Sequence, residues 1–249
     1  HVIATMRDMN RQGALVELAE KERIRDLICI EPMDVTKKDE IATLFTIVEQ
    51  RFGKLDVLIK NAGFAQGGFL EELDEEDWYW QFETNFFGVV RVTKTYLPLL
   101  KKNGGGKIIN ISSISGYFGF PGLGPYVASK HALEGFSESL RLELLVDNIF
   151  VSLVEPASYK TNIWEKGLAT IDLLKERPPF QQNLIKQARQ NITASADPQE
   201  VVNMIVKICE TEKPGLRYPV GKGAKPLYLF KALLPWFFVE RIVQRRLRN

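Results

Sequence analysis

Short, continuous apolar runs alternate along this chain with longer segments whose apolar residues recur at helical spacing. The runs predict strands at 1–5, 27–30, 55–59, 107–111, 149–154 and 218–220, and the longer segments predict helices at 10–21, 37–52, 75–100, 125–146 and 198–210. Strands that are apolar throughout are buried on both faces, as in a parallel sheet with helices on each side. The pattern predicts a single α/β domain over 1–249, a doubly wound, Rossmann-type parallel sheet with its ligand beyond the carboxyl ends of the strands.

Two segments depart from this alternation. Residues 157–195 show no clear periodicity and carry two adjacent prolines, which is typical of an insertion, and we interpret them as a substrate lid. Residues 225–249 are apolar and basic. They predict either a terminal helix that closes the substrate pocket and packs on a neighbouring subunit, or an interfacial helix that makes peripheral contact with an anionic membrane.

Composition narrows the class of protein without identifying a function. The chain has 249 residues, 45% of them hydrophobic and 26% charged, and a formal net charge of +2, which gives no electrostatic argument for binding nucleic acid. Cys29 and Cys209 lack metal-ligand spacing and are too few for a disulfide framework, so we expect no metal site. With no visible signal peptide or membrane span, a cytoplasmic protein is expected.

The strongest chemical pattern is Tyr126 followed by Lys130, with Ser113 thirteen positions before the tyrosine. Residues i and i+4 lie on one face of a helix. An ammonium group placed there would lower the pKa of a phenol, which is otherwise about 10, and so make it a better proton donor or acceptor near neutral pH. A serine hydroxyl on a neighbouring strand could hold a carbonyl oxygen beside that phenol.

These residues stand among further motifs, in an order and at a spacing that resemble the short-chain dehydrogenase/reductase family. The matching motifs are Asn61-Ala62-Gly63 after a strand, Asn85 within Thr84-Asn85-Phe86-Phe87-Gly88, Ser113, Tyr126 with Lys130, and Pro156 with Thr161. Through Met6-Arg7-Asp8 and the C-terminal segment, the chain is most similar to the hydroxysteroid and retinol dehydrogenase branch.

The resemblance implies a mechanism. Tyr126 would be the general acid for ketone reduction and the base for alcohol oxidation, and Lys130 would lower its pKa and bind the nicotinamide ribose. Ser113 would polarise the substrate oxygen, and Asn85 would hold a proton-relay water. Cofactor contacts are implied for Asp34 and Val35, for Asn61, Ala62 and Gly63, for Tyr126 and Lys130, and for Pro156 and Thr161.

Cofactor preference is indicated by the end of the first strand. Met6 stands where NAD-preferring members of the family place an acidic residue, and Arg7 follows it. A guanidinium there can fork onto a 2′-phosphate, so NADP(H) is predicted over NAD(H). The alternatives are that Arg7 is a solvated loop charge, or that it pairs with Asp8.

The chain also departs from the family pattern. The family begins with a strand and a Gly-rich turn that binds pyrophosphate at a helix N-terminus, and this sequence starts at what resembles the second strand. We expect that this segment belongs to the protein and precedes residue 1. Ala157 replaces a usual glycine, and Lys60 replaces an asparagine found in many members; neither change touches the proton-transfer groups.

The predicted function is therefore NADP(H)-dependent interconversion of a hydrophobic ketone and a secondary alcohol, with a small lipophilic substrate. One alternative is a 3-oxoacyl thioester reductase of the same fold, and another is a non-catalytic dinucleotide-binding protein. The resemblance further implies a homodimer or homotetramer.

Overall fold

The computed structural model describes residues 1–161, 163, 171, 176–193, 195–233 and 235–248. Its strands are Val2–Met6 (β1), Ile28–Pro32 (β2), Val57–Lys60 (β3), Gly106–Ile111 (β4), Ile149–Pro156 (β5) and Arg217–Val220 (β6). Its α-helices are Gly13–Lys21 (α1), Lys38–Phe52 (α2), Glu75–Phe82 (α3), Gly88–Lys102 (α4), Gly124–Leu144 (α5), Pro179–Thr193 (α6), Gln199–Glu210 (α7), Ala224–Leu233 (α8) and Trp236–Arg248 (α9). The predicted strands are confirmed, with their ends shifted by a residue or two.

All strand pairs are parallel. β1 pairs with β2, and β3, β4, β5 and β6 follow one another in a second sheet. No strand among the described residues pairs with the facing edges of β1 and β3. Ile3 of β1 and Leu58 of β3 nevertheless pack against one cluster of buried side chains from α2 and α4. Because both sheets share this core, the chain is one doubly wound α/β domain.

The central strand β4 is covered on both faces, as the sequence predicts. Successive side chains of a strand point to opposite faces. Ile108 packs with Leu100 of α4 and Leu140 of α5, whereas Ile109 packs with Ile208 of α7. Both isoleucines are completely buried. The helices on either side therefore hold β4, and the polar residues that follow it, in a fixed position.

The long helix predicted over 75–100 is interrupted. A π-helical turn, Glu83–Phe87, separates α3 from α4 and contains the buried Asn85. A π-turn inserts one extra residue into a helix, shifts the side chains that follow it, and is frequent at functional sites. Sequence periodicity does not reveal it, because apolar residues flank it on both sides.

The segment interpreted as a lid is partly helical. α6 lies within it, and the segment's two ends are joined where Lys160 N–H donates to the Ala196 carbonyl at 2.8 Å. Arg177 pairs with Glu72 at 2.9 Å, which ties this segment to the loop before α3. Residues 162, 164–170, 172–175 and 194 lie outside the described residues.

The C-terminal region forms two helices, α8 and α9, separated at Pro235. α8 packs against β6 and against the short turn Ile114–Gly116 that follows β4, and α9 packs against α6. Among the described residues, none of the helices is long and apolar enough to cross a membrane.

Candidate active site

The predicted site residues follow the carboxyl ends of the strands. Arg7 comes after β1, Asp34 after β2, Asn61 after β3 and Ser113 after β4, while Pro156 ends β5. In an open parallel sheet this edge is where ligands bind. The fold therefore brings together side chains that are far apart in the sequence.

Tyr126 and Ser113 form the centre of the site, and both are buried. The backbone of Ser113 is extended, and its hydroxyl accepts a hydrogen bond from Ser115 N–H at 3.1 Å. Burial raises the pKa of Tyr126 to about 12, and the hydrogen bond with the Ser113 side chain opposes that rise. The net shift is upward, rather than the downward shift expected from Lys130, because desolvation of the phenolate outweighs the hydrogen bond with Ser113.

Lys130 lies one helical turn beyond Tyr126 in α5. Its Nζ donates to the Ile111 carbonyl at 2.7 Å and lies 5.7 Å from the centre of the Tyr126 ring. Burial lowers the pKa of Lys130 to about 8, while the charge of Glu134, one further turn along α5, raises it. The bond to the last residue of β4 fixes the ammonium group between strand and helix.

Asn85 connects the π-turn to the loop after β3. Its Oδ1 accepts from Phe64 N–H at 3.1 Å, and its Nδ2 donates to the Phe64 carbonyl at 2.9 Å and to Ser129 Oγ at 3.3 Å. Ser129 in turn donates to the Tyr126 carbonyl at 2.8 Å. Asn85 is therefore a bridge between the Asn61-Ala62-Gly63 loop and the helix that carries Tyr126.

The loop after β3 and the loop after β2 both approach the helix that begins after the π-turn. Asn61, Ala62 and Gly63 are exposed at the edge of the sheet. A Cβ atom on Gly63 would lie 3.1 Å from Asn85 Oδ1, and one on Gly88 would lie 2.8 Å from Val35 Cγ2. The two glycines allow these loops to lie directly against the π-turn and α4.

Arg7 and Asp34 face each other across the ends of β1 and β2. Burial disfavours the charged form of Asp34, but hydrogen bonds from Thr36 and the charge of Arg7 outweigh it and lower the pKa of this carboxyl group. Arg7 is exposed. Asp8 accepts a hydrogen bond from Asn10 N–H and so caps the following turn.

The last two predicted cofactor contacts lie beyond β5. Pro156 pairs with Val220 of β6 and is half-buried, while Thr161 is exposed. The polar and glycine residues predicted to hold a dinucleotide thus line the carboxyl edge of the sheets from Arg7 to Thr161. This set fits a nicotinamide dinucleotide, because Asn61, Ala62 and Gly63 expose polar and backbone groups at the edge of the sheet and Arg7 presents an exposed cation.

The structure contains a buried ionic cluster behind the site that the sequence did not predict. Glu134 accepts from Ser112 Oγ and pairs with Arg217, and Arg217 also pairs with Glu155 at 2.7 Å. Ser112 and Ser113 therefore have different partners. Burial and the charge of Glu134 raise the pKa of Glu155 to about 7, and Arg217 opposes that rise. In the sequence, this cluster is indicated only by the position of Glu134, which follows Lys130 by one helical turn.

Lys60, the departure from the family pattern after β3, is buried. Its Nζ donates to Thr93 Oγ of α4. Burial lowers its pKa to about 7. Lys60 is thus buried at the end of β3, whereas Asn61, the next residue, is exposed.

The family model for short chain dehydrogenases matches residues 1–171. The chain belongs to the short-chain dehydrogenase/reductase family. It is an oxidoreductase of that family.

Relatives with known sequences cover most of this short-chain dehydrogenase/reductase. It is 45% identical to the uncharacterized oxidoreductase YusZ of Bacillus subtilis over 99% of this chain and 89% of that protein. It is 35% identical to human retinol dehydrogenase 8 over 93% of this chain and 76% of that protein. It is also 35% identical to a 3-ketodihydrosphingosine reductase of Bacteroides thetaiotaomicron, over 79% and 74% of the two chains.

Solved structures agree with the fold. A short-chain dehydrogenase from Streptomyces avermitilis superposes with a TM-score of 0.78 at 31% identity, covering 96% of this chain and 88% of that one. An actinorhodin polyketide ketoreductase with NADPH gives a TM-score of 0.74 at 29% identity, with coverage of 90% and 87%. A Burkholderia phymatum enzyme in complex with NAD gives 0.70 at 25%, with coverage of 82% and 75%.

Proposed function

We propose that this protein interconverts a lipophilic ketone and the corresponding secondary alcohol with NADP(H), and that Tyr126 transfers the proton. The observation that carries the proposal is the buried pair of Tyr126 and Ser113, with the Lys130 ammonium group one turn away. Two hydroxyl groups at one point in a buried site can both donate to a single substrate oxygen. That arrangement stabilises the negative charge that develops on a carbonyl oxygen during reduction.

Each residue has a distinct task in this proposal. Bound NADP(H) supplies or accepts the hydride. Tyr126, with its pKa of about 12, is protonated at neutral pH, which is the form required of a general acid for ketone reduction. Ser113 holds the substrate oxygen against the phenol. Lys130 supplies positive charge that favours the phenolate once the proton has left.

Asn85 positions these groups. Because it binds both backbone groups of Phe64 and the Ser129 hydroxyl, it holds the loop after β3 at a fixed distance from α5. Arg7, Asp34, Val35, Asn61, Ala62, Gly63, Pro156 and Thr161 would bind the dinucleotide.

The cofactor preference rests on Arg7. Its charge acts on Asp34 at the end of the neighbouring strand, at the edge where the ribose of a dinucleotide binds in this type of sheet. With Met6 in place of an acidic residue, no carboxylate at that position repels a 2′-phosphate. One structural neighbour holds NADPH and another holds NAD, so a direct comparison of the two cofactors is needed.

The substrate class is inferred from two relatives. Retinol dehydrogenase 8 and 3-ketodihydrosphingosine reductase are both named for lipophilic substrates, and each is 35% identical to this chain. The apolar side chains of α8 and α9, which pack beside the loop between Ser113 and Tyr126, are consistent with such a substrate.

The test is an activity screen with NADPH on lipophilic ketones, in parallel with 3-oxoacyl thioesters, using wild-type protein and Tyr126→Phe. We expect turnover of free ketones and a loss of about 10²- to 10⁴-fold in kcat for the variant, the usual contribution of a general acid. NADPH binding, followed by fluorescence, should be retained. Tyr79→Phe, at an exposed position on α3, is the control.

Three results would overturn the proposal. Full turnover in Tyr126→Phe would remove the tyrosine from the chemistry. Activity restricted to the acyl thioester would favour the thioester reductase, and failure to bind either NADPH or NADH would favour a protein without catalytic activity.

A further inference from the structure

The outer surface of α8 and α9 combines exposed aromatic and aliphatic side chains with arginines. Leu229 and Leu233 of α8 are 57% and 77% exposed, and Trp236, Phe237 and Phe238 of α9 are 53%, 51% and 45% exposed. We refer to these five side chains, together with Arg241 and Arg245, as the C-terminal patch. Large exposed apolar side chains grouped on two successive helices are typical of an interaction surface.

α9 is amphipathic, and its two sides have different neighbours. Val239 is buried and Val243 is half-buried, so one side packs on the protein. Phe237, Arg241 and Arg245 recur every fourth residue and are all exposed, so they share the outer side. The Arg241 guanidinium lies 4.2 Å from the centre of the Phe237 ring. Aromatic and cationic groups therefore occupy one face together.

Positive charge is concentrated at the C-terminal end of the chain, and this indicates an anionic partner for the exposed face of α9. Residues 224–249 contain six of the 33 basic residues and one of the 31 acidic residues, so they carry +5 while the rest of the chain carries −3. Apolar side chains beside basic ones are the pattern of a helix that lies in the plane of an anionic membrane surface. The apolar groups enter the headgroup boundary, and the arginines meet the lipid phosphates.

The C-terminal patch also adjoins the loop that joins Ser113 to Tyr126. Phe118 contacts the Trp236 ring at 6.2 Å, and Tyr117 contacts the Tyr228 ring of α8 edge-on at 5.2 Å. A membrane that covers this patch would therefore lie beside the candidate active site. A lipophilic substrate dissolved in the bilayer would be concentrated there.

We propose that the C-terminal patch docks this protein on the surface of an anionic lipid bilayer. The test is sedimentation of the full chain with vesicles of phosphatidylcholine alone and of phosphatidylcholine with phosphatidylglycerol, at low and high salt. We expect binding to the anionic vesicles, weak binding to the neutral ones, and loss of binding as salt rises.

Two double variants separate the apolar and electrostatic parts. Arg241→Gln with Arg245→Gln should weaken partitioning on the order of 25-fold, since each basic side chain near an anionic leaflet contributes about fivefold. Phe237→Ser with Phe238→Ser should weaken it about tenfold or more. Because these side chains are exposed, thermal unfolding should be nearly unchanged. Matched controls are Lys21→Gln with Lys38→Gln and Tyr79→Ser with Trp80→Ser, all at exposed positions elsewhere.

Three results would overturn the proposal: no vesicle binding, equal binding to neutral and anionic vesicles, or losses in the control variants as large as those in the patch variants. A concentration-dependent oligomer that dissociates in Phe237→Ser with Phe238→Ser, without lipid binding, would instead assign the patch to a second copy of the chain. Vesicle binding needs neither cofactor nor turnover, so its failure is separate from failure of the proposed activity.

Discussion

Arg7 is the exposed side chain on which the proposed preference for NADP(H) depends. We predict that Arg7→Ala weakens NADPH binding by roughly tenfold or more, the effect of losing a charge-assisted contact to a phosphate, and leaves NADH binding almost unchanged. Parallel fluorescence titrations with the two cofactors measure both effects. Arg11→Ala, a nearby exposed arginine, is the control, and equal losses for NADPH and NADH in Arg7→Ala would contradict the assignment.

Lys60 should make stability depend on pH. Its pKa is about 7 in the folded protein because it is buried, whereas an unfolded lysine has a pKa of about 10.4. Between these values the unfolded chain binds more protons, so the free energy of unfolding rises with pH by up to about 1.4 kcal/mol per unit. Below pH 7 the buried charge is destabilising.

Lys60→Met should remove that slope and stabilise the protein most below pH 7. Urea denaturation at several pH values measures it. Lys94→Met, an exposed lysine on α4, should leave the slope unchanged. A wild-type slope that persists in Lys60→Met would show that other groups cause it.

At the scale of elements, the contact between α4 and the loop after β2 depends on Gly88. An alanine Cβ there would lie 2.8 Å from Val35 Cγ2 and 3.1 Å from the Val35 carbonyl oxygen. We predict that Gly88→Ala lowers the free energy of unfolding by about 1–3 kcal/mol, the usual cost of overpacking. It should also weaken dinucleotide binding, because it moves the loop that carries Asp34 and Val35.

The matched control is Gly135→Ala in α5, where an added Cβ would meet no atom within 4 Å. There the substitution should stabilise the helix by about 0.5–1 kcal/mol, because alanine has the higher helix propensity. Thermal and urea unfolding of both variants give the comparison. Equal effects at the two positions would show that the contact with Val35 is unimportant.

The π-turn between α3 and α4 has a structural role at the same scale. It presents Asn85 to the Phe64 backbone on one side and to Ser129 on the other. A regular helix would rotate Asn85 out of reach of one of these partners, since each residue advances the helix by about 100°. The π-turn therefore allows the Asn85 side chain to bind both the loop after β3 and α5.

For the whole molecule, Arg217 joins elements that are far apart in the sequence. From β6 it pairs with Glu134 and Glu138 of α5 and with Glu155 of β5, and Glu134 accepts from Ser112 after β4. Glu155 is fully buried, and its Oε2 has no hydrogen-bond partner among the residues that the structure describes. Removing the arginine would leave buried carboxylates without a counter-charge.

We predict that Arg217→Leu lowers the free energy of unfolding by about 3–5 kcal/mol at pH 8. The loss should be smaller at pH 5. The pKa of Glu155 is raised to about 7 in the folded wild type, so the folded protein takes up a proton on this carboxyl group as the pH falls. Stability is therefore lost as the pH rises through this pKa. Urea denaturation at the two pH values measures this, with Lys101→Leu, in a half-exposed pair with Asp147, as the control. A loss that grows toward pH 5 would contradict it.

The sequence by itself determined the strands, the main helices and the candidate proton-transfer residues. Strands and helices are readable because their apolar periods are local, and Tyr126 and Lys130 are readable because one helical turn separates them. The order of elements then placed Ser113, Asn61 and Pro156 at one edge, since parallel strands all end there.

Only the tertiary structure decided how charged side chains are paired and which are buried. Arg217 lies 83 residues from Glu134 in the sequence, and no local pattern connects the two. Burial of Lys60 depends on α4 packing over the end of β3. The upward shift of the Tyr126 pKa depends on how far the surrounding chain excludes water. Desolvation and ion pairing are set by neighbours in space, and these become known only when the chain is folded.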